Sequence, residues 1–166
     1  TIKDVMEALK KDPKSVKIGG TSSAGSMDHI QFLEAARAAG VKNLKDIPYI
    51  SFQEGSMAQL MGGHIDLLST GMAETVGALE AGDIRVLALS SPKRIKSGPL
   101  SKIPTLKESG INTVFVNWRG LFGAPGMGKA ERDYMAKALK KMVGTKNWKT
   151  VCDNNGWTPA YMGPDE

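Results

Sequence analysis

The chain has 166 residues, 41% of them hydrophobic and 23% charged, with a formal net charge of +5. That length buries a core without disulfides or metal, so one domain, or part of a larger one, is expected. No apolar run approaches the roughly 20 residues needed to cross a bilayer. The single cysteine, Cys152, leaves no intramolecular disulfide and has no histidine at a recognised nucleophile spacing, so it reads as structural.

The N-terminal stretch "TIKDVMEALKKDPKS" places Val5, Met6 and Leu9 on one helical face and stops at Pro13. It is charged and amphipathic, without the apolar stretch of a secretory signal. The chain opens on Thr1 rather than Met, so a processed chain or a fragment is expected. "SVKIGG" reads as a short strand running into glycine. "MDHIQFLEAARAAG" reads as a helix with Ile30, Leu33 and Ala36 or Arg37 at helical spacing, ended by Gly40. "DIPYISF" is a strand, "GSMAQLMGG" a short helix, "HIDLLST" a strand and "MAETVGALEAGD" a helix ended by Gly82. "IRVLALS" is apolar enough to be a strand buried on both faces.

Strands and helices thus alternate four times between residues 16 and 90. This pattern predicts an α/β fold built of βαβ units, with a parallel or mixed sheet flanked by helices. After Ser90 the pattern changes. "SPKRIKSGPLSKIPTLKESGI" reads as a long loop with one helical turn at its end. "NTVFVNWRGLFGAP" reads as extended, in one strand or two. "GKAERDYMAKALKKMVGT" is an amphipathic helix, with Tyr134, Ala138 and Lys141 alternating with Met135, Leu139 and Met142. "KNWKTVCDNNGW" predicts a second helix.

Charge is uneven. Residues 1–90 carry 9 Lys/Arg against 11 Asp/Glu, a balance of −2. Residues 91–166 carry 13 against 6, a balance of +7. The basic half fits solvated helix faces, because "KALKKM" and "KNWKT" lack the interleaved aromatics that single-stranded nucleic acid stacks on. No nucleic-acid partner is expected.

In open parallel sheets, ligands bind beyond the carboxyl ends of the strands. Four such ends are predicted: "GGTSSAGS", "SFQEGSM", "LLSTGMAE" and "LSSPKR". All are rich in Ser, Thr and Gly and poor in titratable groups. That suits hydrogen bonding of a polar or anionic ligand by hydroxyl and backbone N–H donors, not acid–base catalysis. The first end is no P-loop, because no Lys-Ser/Thr pair follows its glycines. Glycines at 19, 20 and 25 do not make a dinucleotide fingerprint, and Gly20, Ser22 and Ala24 break the nucleophile-elbow pattern. From spacing alone, a ligand loop and a Ser-capped helix after a tight turn both remain open.

His29 and His64 are the two histidines, too few for a usual zinc site, and no metal or cofactor is expected. His29, three residues into a helix, either touches a ligand or caps nearby backbone. His64 reads as structural. Asp66 lies in an apolar strand and reads as a satisfied structural acid or strand-edge residue.

Taken together and in order, "KIGGTSSAGSMDH", "IPYISFQEGSMAQLMGGHIDLL", "EAGDIRVLALSSPKR", "IPTLKESGI" and "VNWRGLFGAP" closely resemble the substrate-binding proteins of tripartite tricarboxylate transporters, the Bug family of periplasmic receptors. The resemblance covers nearly the whole chain. It implies two α/β lobes that clamp a small carboxylate and deliver it to membrane transporter subunits. It implies that 1–117 is the second lobe, periplasmic-binding-protein-like in fold, and that 118–166 is the return crossover strand with C-terminal helices packing on an absent first lobe. It implies periplasmic or extracellular, membrane-associated localisation and no enzymatic activity.

Carried across, the resemblance assigns ligand contact to Thr21, Ser22, Ala24, Gly25, Ser26 and His29. It adds Phe52 and Gly55, with Glu54 beside them, and Ser69 and Thr70 in the "STG" loop. Glu54 departs from the family pattern, which usually has a basic or neutral residue near Gln53, and an acid beside the cleft repels a carboxylate. Two alternatives accompany this reading: a hydrolase or transferase using Ser22 or Ser23, and a basic interaction module in residues 91–166. Apolar residues of "DYMAKALKKM" predict a homo-oligomer if no lobe covers them.

Overall fold

A helix over Ile2–Lys11 (α1) opens the chain; of its expected face Met6 and Leu9 are buried and Val5 half-buried, and Ile2 completes the buried i, i+4, i+7 row. A computed structural model describes residues 1–96, 98–155 and 157–166. Ser97, in the predicted long loop, and Gly156, in the predicted last helix, lie outside the described residues.

Three strands follow: Ile18–Gly20 (β1), Tyr49–Ser51 (β2) and Leu67–Leu68 (β3). They form a parallel sheet in the order β2-β1-β3. Ile18 pairs with Tyr49 on one side and Leu67 on the other. β1 is therefore central and buried throughout. Parallel strands need crossover connections, and the helices supply them: Met27–Ala38 (α2) between β1 and β2, and Ser56–Met61 (α3) between β2 and β3. Met72–Ala81 (α4) follows β3.

The core gathers α1, α2 and β1, with Val41, Ile47, Leu106 and Ile111. Gly19 and Gly20 let the centre of the sheet close tightly. A Cβ on Gly19 would sit 2.5 Å from Ile65 Cδ1. The face that α2 buries matches the expected one only in part: Ala36 is buried and Leu33 packs against the core. Asp28, Phe32, Ala35 and Ala36 point inward, while Ile30 and Arg37 are exposed. Small alanines allow close approach of helix to sheet, and Phe32 fills the remaining space.

Two expected strands are not formed. "IRVLALS" makes one parallel bridge, Leu89 to Thr105. Its neighbour begins at Pro104, which has no N–H to extend a ladder. The Leu89 N–H donates to the Pro104 carbonyl, and Leu89 accepts from the Leu106 N–H. Val86, Leu87 and Ala88 are only half-buried, so this segment is not covered on both faces. Residues 112–125 likewise contain no strand; the Phe115 N–H donates to the Ser90 carbonyl, an isolated link.

The chain divides into two compact units, Thr1–Asn117 and Trp118–Glu166. The second contains helices Lys129–Val143 (α5) and Lys146–Asn155 (α6). Cys152 is buried there as a free thiol, and Arg119 lies over the Trp157 ring at 5.0 Å. α5 buries no residue fully, and Trp118, Phe122 and Tyr134 are exposed. No helix is long and apolar enough to cross a membrane among the described residues.

Ile18 is fully buried at the centre of the sheet. Ile18→Ala is expected to destabilise the first unit by about 2–5 kcal/mol, measured by denaturant unfolding. A change under about 1 kcal/mol would show that β1 is not the core strand.

Candidate functional site

Parallel strands put their carboxyl ends at one edge of the sheet. The register makes this concrete, because the Phe52 N–H donates to the Gly20 carbonyl (2.9 Å) and the Ser69 N–H to the Gly19 carbonyl (2.9 Å). The loop Thr21–Ser26, the Phe52–Gly55 turn and the Ser69–Gly71 turn therefore start side by side. These segments contain every residue that the resemblance points to except His29, which follows on the first turn of α2.

The first loop is organised by a residue that sequence reasoning passed over. Asp28, on the first turn of α2, is 1% exposed. Its Oδ2 accepts from the Thr21 N–H (3.0 Å), the Thr21 hydroxyl (2.9 Å) and the Ser22 N–H (3.0 Å). In return, the Asp28 N–H donates to the Ser22 hydroxyl (3.0 Å). A carboxylate is favourable at a helix N-terminus, and three donors offset its desolvation. Ser26 occupies the N-cap position but makes no capping hydrogen bond through its side chain. The expected Ser cap is therefore replaced by a reciprocal Asp28–Ser22 link. The signal was present as an acid at the second helical position behind a Ser/Thr-rich loop.

Tyr49 and His29 form the next layer. Their rings stack at 4.2 Å and 17°. The Tyr49 hydroxyl donates to the Ser22 carbonyl (2.8 Å). Burial, with a smaller contribution from the Asp28 charge, raises the Tyr49 pKa, while the Ser22 bond opposes this in part. Gly20 is needed here because a Cβ would collide with the Tyr49 hydroxyl and lie 2.8 Å from Asp28 Cβ. The Gly25 N–H donates to His29 Nδ1 (2.9 Å). Gly25 takes φ +80°, which a residue with Cβ rarely adopts. An accepting Nδ1 belongs to the neutral ring with its proton on Nε2. Burial lowers the His29 pKa in agreement with that form.

Ser69 is buried and committed. Its hydroxyl donates to the Asp28 carbonyl (2.8 Å) and accepts from Gln31 Nε2 (3.3 Å). Gln31 Oε1 in turn accepts from the Ser90 hydroxyl (3.3 Å). The ends of β1, β3 and the Leu89 segment are thereby tied to α2. Thr70 donates its hydroxyl to the Glu74 carboxylate. Ala24, Gly25, Ser26 and Gly55 are exposed, as is Glu54, and Phe52 is half-buried. Gly55 takes φ +72° and leads into α3. Among the described residues, the Ser23 and Ala24 N–H groups have no intrachain partner.

Other candidates lie elsewhere. Asp66 is exposed rather than buried, and its Oδ2 accepts from the Lys17 N–H (2.7 Å) where β1 begins. His64 is exposed. No group of three His, Cys, Asp or Glu side chains could hold a metal among the described residues. One cavity of about 380 Å³ lies against Ile2, Arg85 and Leu87, and another of about 420 Å³ lies beside Lys10, Lys11 and Lys42. Neither is lined by the strand-end loops.

The neutral His29 gives a pH signature. Its folded pKa lies below the ordinary 6.5, so the unfolded chain takes the proton first as pH falls. The contribution is complete above about pH 6.5 and is lost as pH drops toward the folded pKa. Wild type is expected to lose more stability between pH 7 and 5 than His29→Gln, measured by urea unfolding. Identical losses would contradict the neutral-ring assignment.

The family profile "Tripartite tricarboxylate transporter family receptor" matches residues 1–166. A curated relative from Cupriavidus necator, "UPF0065 protein in gbd 5'region", is 28% identical over 169 residues, spanning 100% of this chain and 49% of the relative. Another, from Agrobacterium vitis, the "UPF0065 protein in the TAR-I ttuE-ttuC' intergenic region", is 26% identical over 141 residues, 84% of this chain and 39% of the relative. The crystal structure of a TctC solute-binding protein from Polaromonas, without ligand, aligns with a TM-score of 0.72 and 26% identity, covering 99% of this chain and 55% of that one. The chain thus spans about half the length of the relatives it matches or less. Its parallel sheet with flanking helices matches the fold of that receptor, and the matched family comprises solute-binding receptors rather than enzymes. The chain belongs to the tripartite tricarboxylate transporter receptor family.

Proposed function

We propose that this chain forms part of a periplasmic solute receptor that binds a small carboxylate and presents it to a tripartite tricarboxylate-type membrane transporter. In this reading residues 1–117 are the second lobe of a two-lobe binding protein. Residues 118–166 are the return crossover and the helices that pack on the first lobe. The observation that carries the proposal is the common edge where the Ser/Thr/Gly-rich strand ends meet, with the exposed Ser23 and Ala24 N–H groups ahead of α2. Backbone N–H donors at a helix N-terminus bind an anion without a cationic side chain.

Ala24, Gly25, Ser26, His29, Phe52 and Gly55 are assigned to the ligand-facing surface. Thr21, Ser22, Ser69 and Thr70 belong to the same site, and their hydrogen bonds to Asp28, Gln31 and Glu74 suit them to shaping the loops. Closure of two lobes removes water from such bonds and strengthens them. A serine-nucleophile reading lacks its base. The Ser22 hydroxyl accepts from the Asp28 N–H, and His29 Nδ1 is taken by Gly25.

A receptor carrying both lobes is expected to melt higher with one member of a panel of di- and tricarboxylates. A ligand at 100 times its Kd adds about 2.7 kcal/mol. No shift with any member counts against the carboxylate assignment. The exposed Trp118, Phe122 and Tyr134 suit association between copies of this chain. Light scattering that finds only monomer at every concentration contradicts that association.

A further inference from the structure

We infer that Asp28 is the positioning residue of the ligand loop: by accepting from Thr21 and Ser22 it turns the loop so that the Ser23 and Ala24 N–H groups and the Nε2 edge of His29 remain for the ligand. This rests on the reading of Thr21–Ser26 as a ligand loop. Asp28 itself is not placed against the ligand.

Three observations carry it. First, one buried oxygen gathers three donors from two consecutive residues, which fixes the direction of the chain as it leaves β1. Second, the Asp28 main chain is held from both sides. Its N–H donates to the Ser22 hydroxyl, and its carbonyl accepts from the buried Ser69 hydroxyl at the end of β3. The loop is therefore indexed to the sheet through this one residue. Third, Asp28 is followed immediately by His29, whose ring stacks on Tyr49 and accepts from Gly25. A shift of Asp28 moves the ring and the Gly25 turn together.

The requirement is for an acceptor at Oδ2, not for the charge. Oδ1 has no partner among the described residues, so an amide nitrogen can take its place without facing another donor. Asp28→Asn should thus keep the loop, whereas Asp28→Ala leaves the Thr21 and Ser22 N–H groups without their acceptor.

The test uses this chain labelled with nitrogen-15. The His29 ring nitrogens and the Gly25 amide are read first, without ligand. Succinate affinity is then measured by calorimetry. Asp28→Asn is expected to keep the wild-type ring and Gly25 signals and to bind succinate at least as well. Asp28→Ala is expected to lose both signals and to weaken succinate about tenfold or more. If Asp28→Ala does not fold, Ser22→Ala serves instead: it removes only the acceptor of the Asp28 N–H, and should move the same signals in part. Unmoved His29 and Gly25 signals in the alanine variants overturn the inference, as does an Asp28→Asn variant that loses them. If neither succinate nor citrate binds to this chain or to a receptor carrying both lobes, the carboxylate reading is contradicted, while the ring signals still decide the role of Asp28.

Discussion

A carboxylate buried at the edge of a sheet must find donors, and the site depends on how Asp28 finds them. The residue is almost wholly buried, so leaving its Oδ2 without donors would be costly. The chain meets the need with the two residues that follow β1, Thr21 and Ser22. Much of the local geometry follows. Gly20 carries no side chain because Asp28 and Tyr49 fill the space beside it. Tyr49 reaches across from β2 to hold the Ser22 carbonyl, and Ser69 reaches from β3 to hold that of Asp28. Asp28, Tyr49 and Ser69 together thus tie three strand ends to one another.

This arrangement also suggests why the edge suits recognition rather than reaction. Its titratable groups are either engaged or turned to solvent. Asp28 is engaged by the loop through its Oδ2, and His29 accepts at Nδ1 as a neutral ring. Glu74 accepts from Thr70. In the proposed reading, what remains for a ligand is a set of backbone N–H groups and one imidazole edge, of low net charge. Such a set binds anions by hydrogen bonding and discriminates by shape. On the same reading, the exposed Glu54 disfavours a highly charged anion at this edge.

The sequence made some of this legible and hid the rest for physical reasons. α1 was readable because Met6 and Leu9 repeat at helical spacing and Pro13 stops it. The strand ends were readable as Ser/Thr/Gly clusters after short apolar runs. The buried face of α2 was legible only in part: Ala36 and Leu33 fell on it, but Asp28 and Ala35 give no apolar signal and Ile30 places an apolar residue on the outer side. The fourth strand looked secure from composition, yet a strand needs a partner that can donate, and Pro104 cannot. The roles of Asp28 and Tyr49 depend on contacts across seven and 27 residues, which no local pattern encodes.

The central claim is that the strand-end edge, and the Thr21–Ser26 loop above all, receives a small carboxylate. Backbone amide shifts of the labelled chain, followed during titration with succinate and with citrate, test it most directly. The account predicts saturable shifts concentrated at Ser23, Ala24, Gly25, His29 and Gly55. Shifts confined to residues 118–166, or to the lysines near Pro13 and Lys42, would contradict it.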